Sequence, residues 1–153
     1  MHGGASGGFL APLGESEAEA WWREAIGEHR AGRRCILLAR QDERVVGTVH
    51  LAFSPKPNAR HRAEVQKLLV HSRARRQGIG RYLMTVAERT ARQRGISLLL
   101  LDTETGSEAA SFYERLGWNR VGDVPDHSSK PYGGLAPTTF YYKQLGKAPD
   151  DPR

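Results

Sequence analysis

"KLLVHSRARRQGIGRYLMTVAERTARQRGISLLLLD", residues 67 to 102, decides how the rest of the chain is read. Its first residues close the run "AEVQKLLV", 63 to 70, which has the length and composition of a strand. Three arginines, Arg73, Arg75 and Arg76, then lead into Gly78 and Gly80. Beyond them Ile79, Leu83, Val86, Ala87, Thr90 and Ala91 recur at helical spacing, and Gly95 stops the helix. "ISLLLLD", 96 to 102, is a second strand, apolar enough to be covered on both faces. Strand, basic glycine turn, helix and strand make a βαβ unit. Its turn lies at the C-terminal end of the first strand, where α/β folds bind their ligands.

The flanking segments extend this unit. "ESEAEAWWREAIGEHRAG", 15 to 32, reads as a helix with Ser16 as cap, Glu19 as its capping-box partner and Gly32 as stop. "CILLARQ", 35 to 41, and "VVGTVHLAF", 45 to 53, flank the short polar link "DER" and read as a hairpin. A proline-bearing loop, 54 to 62, follows. "SEAASFYERLG", 107 to 117, is a short helix ending in glycine. "WNRVGDV" and "TTFYYKQL" read as closing strands around a polar loop, 126 to 137. No internal repeat or linker divides the chain. The expectation is one domain over residues 1–146 with a disordered tail, 147–153.

Composition narrows the function classes. No run of 18 apolar residues is present, so no membrane-spanning helix and no membrane partner is expected. The glycine-rich start lacks the basic and apolar segments of a secretory signal, and the simplest location is cytoplasmic. One cysteine, Cys35, excludes an internal disulfide framework. His2, His29, His50, His61, His71 and His127 show no metal-ligand spacing, so no metal is expected. Basic residues outnumber acidic ones 23 to 17, which favours an anionic partner without choosing among nucleic acid, membrane and a phosphate-bearing cofactor.

A glycine turn before a helix exposes unpaired N–H groups at the positive end of the helix dipole. Glycines let an anion approach them, and Arg75, Arg76 and Arg81 add fork-shaped donors. The residues alone fit either a pyrophosphate site or a tight turn before a solvated basic helix. The spacing matches neither a P-loop nor the G-x-G-x-x-G dinucleotide fingerprint.

Arg75-Arg76-Gln77-Gly78-Ile79-Gly80 resembles the R/Q-x-x-G-x-G/A signature of GNAT N-acetyltransferases, and "FYERLGW", 112 to 118, resembles a second segment of that family. "HGGAS", "KPN", "RAEVQKL", "LDTE" and "PTTFYYKQLG", spread from residue 2 to residue 146, resemble its tabtoxin-resistance branch. The resemblance implies an α/β fold: a mixed, mostly antiparallel sheet with a splayed central pair of parallel strands, flanked by helices. It implies acetyl-CoA as co-substrate and direct attack by a primary amine of a small molecule. In the family a first strand and most of a first helix stand before "HGGAS", so the expected sheet lacks its first strand and bares an edge. Homodimers are common in the family.

Acetyl transfer from a thioester to an amine needs a base for the ammonium, a donor for the tetrahedral oxyanion and a proton for the leaving thiolate. The resemblance makes Tyr113 the acid; the residues alone fit a helix tyrosine covering the core. Glu64 is the first candidate base, on the same strand face as Gln66 by alternation. Asp102, delivered by the leucine strand to its edge, is the second, and partial burial there raises its pKa. A solvated strand-end charge and a turn cap are the plainer readings of these two. Cofactor contacts are expected from Leu68, Leu69 and Val70 on the splayed strand, from Arg75 through Arg81, including Gln77, Gly78, Ile79 and Gly80, and from Asp102, Thr103 and Tyr113. A family asparagine is replaced here by Gly106, and Ser107 caps the helix instead. Trp21 and Trp22, adjacent on a helix, are expected to face different directions, one into the core and one towards the acceptor.

Three other readings stand beside this one. An acceptor in a peptide or protein keeps the chemistry. A CoA-binding regulatory module would keep the turn without turnover. Nucleic-acid binding through "RARRQGIGR" lacks an aromatic platform, and no nucleic-acid partner is expected. The loops that would shape the acceptor pocket carry no motif.

Overall fold

The computed structural model describes residues 15–146, with side chains from Ala18 onward. The elements run α1 (Glu15–Arg30), β1 (Arg34–Gln41), β2 (Arg44–Phe53), β3 (Arg62–Val70), α2 (Ile79–Gln93), β4 (Leu98–Glu104), α3 (Glu108–Arg115), β5 (Asn119–Ser129) and β6 (Leu135–Gln144). The six strands form one sheet in the order β1-β2-β3-β4-β6-β5. Only β3 and β4 pair in parallel; every other pair is antiparallel. Among the described residues β1 is an edge strand, with β2 as its single partner. The capping role read for Ser16 and the segment "HGGAS" lie outside the described side chains.

The sheet's two faces differ because side chains alternate along each strand. Val49, Leu51, Val65, Leu99, Leu101 and Tyr141 point to one face and are buried there with Leu83 and Met84 of α2 and Tyr113 of α3. Each such aliphatic side chain contributes about 1.5–3 kcal/mol by leaving water. Ala87 and Ala91, both fully buried, let α2 lie close to the sheet. Gly47 of β2 completes that approach: a Cβ there would stand 3.0 Å from Leu83 Cδ1 and 3.2 Å from both Ile79 Cγ2 and the Leu69 carbonyl oxygen. The opposite face carries Arg34, His50, Glu64, Gln66 and Asp102, and α1 packs against its β1 end.

The parallel pair splays. Only Arg62, Ala63 and Glu64 face β4, opposite Leu98, Leu99 and Leu100. Beyond Glu64 the strand keeps β2 alone. The cause is a bulge: Gln66 faces His50 but Leu69 faces Thr48, so β3 carries one extra residue, absorbed at Lys67 with φ of +54°. The extra residue bends β3 away from β4 and opens a V whose vertex is Glu64.

Two boundaries depart from the sequence reading. The leucine strand begins at Leu98 and runs on to Glu104, so Asp102 sits inside the strand rather than at its end. Ile96 is a buried plug in the connection. The polar loop expected over 126–137 shrinks to residues 130–134, because β5 continues to Ser129 and β6 starts at Leu135. Pro125 hid this continuation, since it donates no ladder hydrogen bond. It is tolerated because β5 is an edge strand and its register shifts between Val124 and Ser128, where Asp126 takes φ of +54°.

Candidate active site

The glycine turn stands on β3 and leads into α2. His71 accepts from the Arg73 N–H through Nδ1 at 3.1 Å and holds a short 3-10 turn, Ser72–Ala74, whose Ala74 is buried. Arg76 and Gly78 then both take left-handed backbone, φ of +63° and +76°. Such reversals turn successive N–H groups towards a common point. Gly78 caps α2 without any side-chain acceptor, and the first turn of α2 holds no acidic residue. A helix start is ordinarily satisfied by such groups. Here its donors face a cleft of about 400 Å³ bordered by Val70, Arg75, Arg76, Gly80, Phe112 and Arg115. A Cβ on Gly80 would touch Phe112 Cζ at 3.4 Å, so a larger residue would fill the cradle. Open donors, arginines and bare backbone fit a pyrophosphate, and with it the diphosphate of CoA.

Gln77 departs from the expected set. Its Oε1 accepts from Gln41 Nε2 at 2.8 Å, which turns the side chain to the β1–β2 hairpin and away from the cleft. Leu68, Leu69 and Val70 lie on the splayed part of β3, half-buried along the gap. Thr103 points to the α3 side, 3.5 Å from the Ser107 hydroxyl, which also accepts from the Ala110 N–H at 3.2 Å as the helix cap.

Tyr113 is buried in α3 among the rings of Phe112, Trp118 and Tyr141. Burial, and then the negative charge of Asp102, push its pKa up to about 12, so the phenol keeps its proton. On the opposite face stand the two carboxylates. Glu64 is half-buried at the vertex. Burial and the neighbouring Asp102 raise its pKa, against hydrogen bonding from Gln66 and the charge of Arg34. Asp102 remains exposed at the lip of the gap, yet partial loss of water raises its pKa, against the pull of His127. The arrangement is a gap through the sheet, with an anion cradle and a protonated phenol on one face and two poised carboxylates on the other.

Sequence reasoning missed what braces the carboxylate face. Arg34 donates to Glu28 Oε2 at 2.8 Å and to Gln66 Oε1 at 2.8 Å. It also lies 3.3 Å from His50 Nδ1. His50 is wholly buried, and burial and then Arg34 push its pKa down to about 4. Trp21 and Trp22 do not diverge: Trp21 stacks on the His50 ring at 5.7 Å and Trp22 meets it edge-on at 5.3 Å, and neither is core. Their rings reach far enough from α1 for both to close on one strand residue. Lys67 Nζ lies 4.9 Å from the centre of the Trp21 ring. Cys35 is buried in β1, its thiol pushed up by burial, far from a nucleophile's needs. Among the described residues no cluster of side chains fit to hold a metal is assembled, and no helix is long and apolar enough to cross a membrane.

Comparison with known proteins agrees with this geometry. The family model described as "Acetyltransferase (GNAT) family" matches residues 7–118. N-acetyltransferase 8 of Homo sapiens is 34% identical over 90 residues, which is 58% of this chain and 40% of that protein, so the chain matches less than half of that relative's length. The crystal structure of ribosomal-protein-alanine N-acetyltransferase from Brucella melitensis is 30% identical, with a TM-score of 0.73 over 90% of this chain and 86% of that one. An aminoglycoside 6'-N-acetyltransferase complexed with coenzyme A shares the fold at 22% identity, TM-score 0.69, over 90% of this chain and 84% of its own. With a family match across most of its length and the splayed sheet and glycine turn in place, the chain belongs to the GNAT acetyltransferase family.

Proposed function

We propose that this chain moves an acetyl group from acetyl-CoA to a primary amine of a small molecule, as in the toxin-resistance branch of the family. One observation carries the reading. The gap at the β3–β4 vertex has a pyrophosphate-type cradle and Tyr113 on one face and Glu64 with Asp102 on the other. The two ligands then meet inside the sheet, and no covalent enzyme intermediate is needed. Trp21 and Trp22 of α1 stand against His50, and His127 stands against Phe140 of the β5–β6 hairpin; we read these rings as flanks that suit a compact amine.

Each residue has a task in this reading. The Arg75–Arg81 turn, with Gly78 and Gly80, holds the diphosphate, and Leu68, Leu69 and Val70 present backbone to the pantetheine arm. Bound acetyl-CoA supplies the thioester. Glu64 and Asp102 attract the ammonium, and their raised pKa values suit removal of its proton. Backbone N–H groups of β3 that face the gap have no ladder with β4 beyond Glu64 and are available to an oxyanion. Tyr113 donates its proton to the departing sulfur.

A protein N-terminal amine is the second reading, favoured by the likeness to a ribosomal-protein-alanine acetyltransferase. Calorimetric titration with acetyl-CoA tests the cofactor side: micromolar binding, weakened at least about tenfold in Gly80→Asp, is expected. A folded chain that does not bind acetyl-CoA refutes the reading. Thiol release is then screened with amino acids, aminoglycosides and short peptides, and turnover confined to peptides would favour the second reading.

A further inference from the structure

The carboxylate face holds two buried polar atoms that acetyl transfer itself does not use. His50 of β2 is wholly buried. Arg34 stands 3.3 Å from its Nδ1, and a guanidinium has only donors, so Nδ1 accepts and the ring proton sits on Nε2. That Nε2–H has no hydrogen-bond partner among the described residues. Two residues earlier, on the same face of β2, the Thr48 hydroxyl is buried and likewise without a partner among them. Buried polar groups are ordinarily paired, so two such atoms on one strand face point to a ligand.

A lysine is delivered beside them. Gln66 of β3 faces His50 and Leu69 faces Thr48, so the extra residue of the bulge falls between these two pairs. The residue that absorbs it is Lys67, with φ of +54°. Left-handed backbone breaks the alternation of β3, and adjacent side chains both reach the α1 face. Gln66 accepts from Arg34 at 2.8 Å, and Lys67 Nζ lies 4.9 Å from the centre of the Trp21 ring. Trp21 in turn stacks on His50 at 5.7 Å. Arg34, 5.9 Å from the same indole, is matched by Glu28 at 2.8 Å. Lys67 is half-buried. Burial, and then the charge of Arg34, lower its pKa, and an anion beside it would offset both.

We infer that the acceptor carries a carboxylate several carbon atoms from its amine, and that Lys67 and the His50 Nε2–H bind this carboxylate while Glu64 and Asp102 hold the amine. The inference rests on the acetyl-transfer reading of the site and narrows its substrate class. Lys67 then decides specificity and takes no part at the reacting atoms. The indoles of Trp21 and Trp22 cover His50, so the carboxylate enters as Trp21 shifts off the imidazole. Lys67 exchanges a contact with a ring face for a charge-assisted hydrogen bond, and the Thr48 hydroxyl supplies a further donor. The length of the acceptor follows from the strand. Lys67 is the third residue after Glu64 on β3, roughly 10 Å of strand. An α-amine lies too close to its own carboxylate to bridge that span, whereas the side-chain amine of a lysine-like amino acid reaches it. The N-terminal amine of a protein brings no such carboxylate.

Lysine, lysinamide and cadaverine share one side-chain amine and differ in the carboxylate, which makes them the probes. With the whole chain and acetyl-CoA, kcat/KM from thiol release is expected to be at least about tenfold higher for lysine than for the other two. In Lys67→Met, which keeps an unbranched stem against Trp21, that ratio falls towards one through KM for lysine, and Lys67→Arg restores it. Equal use of the three amines by wild type, or a preference for lysine that survives in Lys67→Met, overturns the inference and leaves acetyl transfer standing. The wild-type comparison holds whether or not the variants fold. Binding is read without turnover from the NMR signals of the His50 Nε2–H. Lysine is expected to shift them, lysinamide and cadaverine to leave them in place, and Lys67→Met to abolish the shift. Unshifted signals overturn the site. A carboxylate-specific shift with no thiol release from any amine refutes acetyl transfer and keeps the anion site alone.

Discussion

Replacing Gly47 by alanine adds one methyl group at the point where three parts of the cofactor side meet. Its Cβ would stand 3.0 Å from Leu83 Cδ1, 3.2 Å from Ile79 Cγ2 and 3.2 Å from the carbonyl oxygen of Leu69. The leucine methyl can turn aside, but the carbonyl is backbone and cannot. Overpacking of this kind costs about 1–3 kcal/mol, against which the alanine regains about 0.4–1 kcal/mol by restricting the unfolded chain. The net expectation is a loss of about 1–2 kcal/mol. For a chain of this size that is a fall in Tm of roughly 2–8 °C. The displaced groups make the second half of the prediction. Ile79 opens α2 directly after the glycine turn, and Leu69 lies on the splayed strand, so relief of the clash moves the anion cradle relative to β3. Acetyl-CoA affinity should fall together with stability. Thermal unfolding followed by calorimetry on the same preparation reads both. A Tm equal to or above that of wild type would refute the packing argument. A lower Tm with unchanged affinity would refute the coupling between β2 and the cradle.

Tyr113→Phe keeps the buried ring contacts with Phe112, Trp118 and Tyr141, so stability should hold while kcat falls roughly 100-fold or more and acetyl-CoA affinity changes little; full turnover in this variant would remove Tyr113 from the reaction. His50 is held neutral, its pKa down from 6.5 to about 4, so the unfolded chain takes up its proton first as pH falls. Its contribution is complete above pH 6.5 and fades towards pH 4, a loss of about 3 kcal/mol. Glu64 and Asp102, with raised pKa values, act in the opposite sense, so the check is the difference between wild type and His50→Phe in urea unfolding at several pH values; parallel curves would contradict it. Asp42 and Glu43 form the β1–β2 turn with φ of +51° and +65°, a turn that suits glycine, so Glu43→Gly should raise stability by up to about 1 kcal/mol without changing acetyl-CoA binding.

The parts of the fold that could be read from the chain were those set by neighbours in sequence. The period of α2, the leucines of β4 and the cap at Ser107 are local patterns, and each formed within two residues of its expected place. The glycine turn before α2 was legible for the same reason, since Gly78 takes left-handed backbone at the helix start. What could not be read depended on distant partners. Gln77 left the cleft because Gln41, on the β1–β2 hairpin, donates a hydrogen bond to its Oε1. His50 gave no sign of burial, because its burial is made by Trp21 and Trp22 from α1. The length of β5 was concealed by Pro125, which reads as a break unless the strand is known to be an edge with a bulge.

A gap open on both faces of the sheet governs traffic as well as chemistry. If the amine binds at the carboxylate face as proposed, it and the nucleotide end of acetyl-CoA use different openings, so neither must wait for the other to enter or leave. Initial-rate plots should intersect, with no obligatory order of release. A compound lodged between α1 and the β5–β6 hairpin would compete with the amine and leave the approach of acetyl-CoA untouched. Inhibitors of the two doorways would therefore bind together, and their effects would multiply.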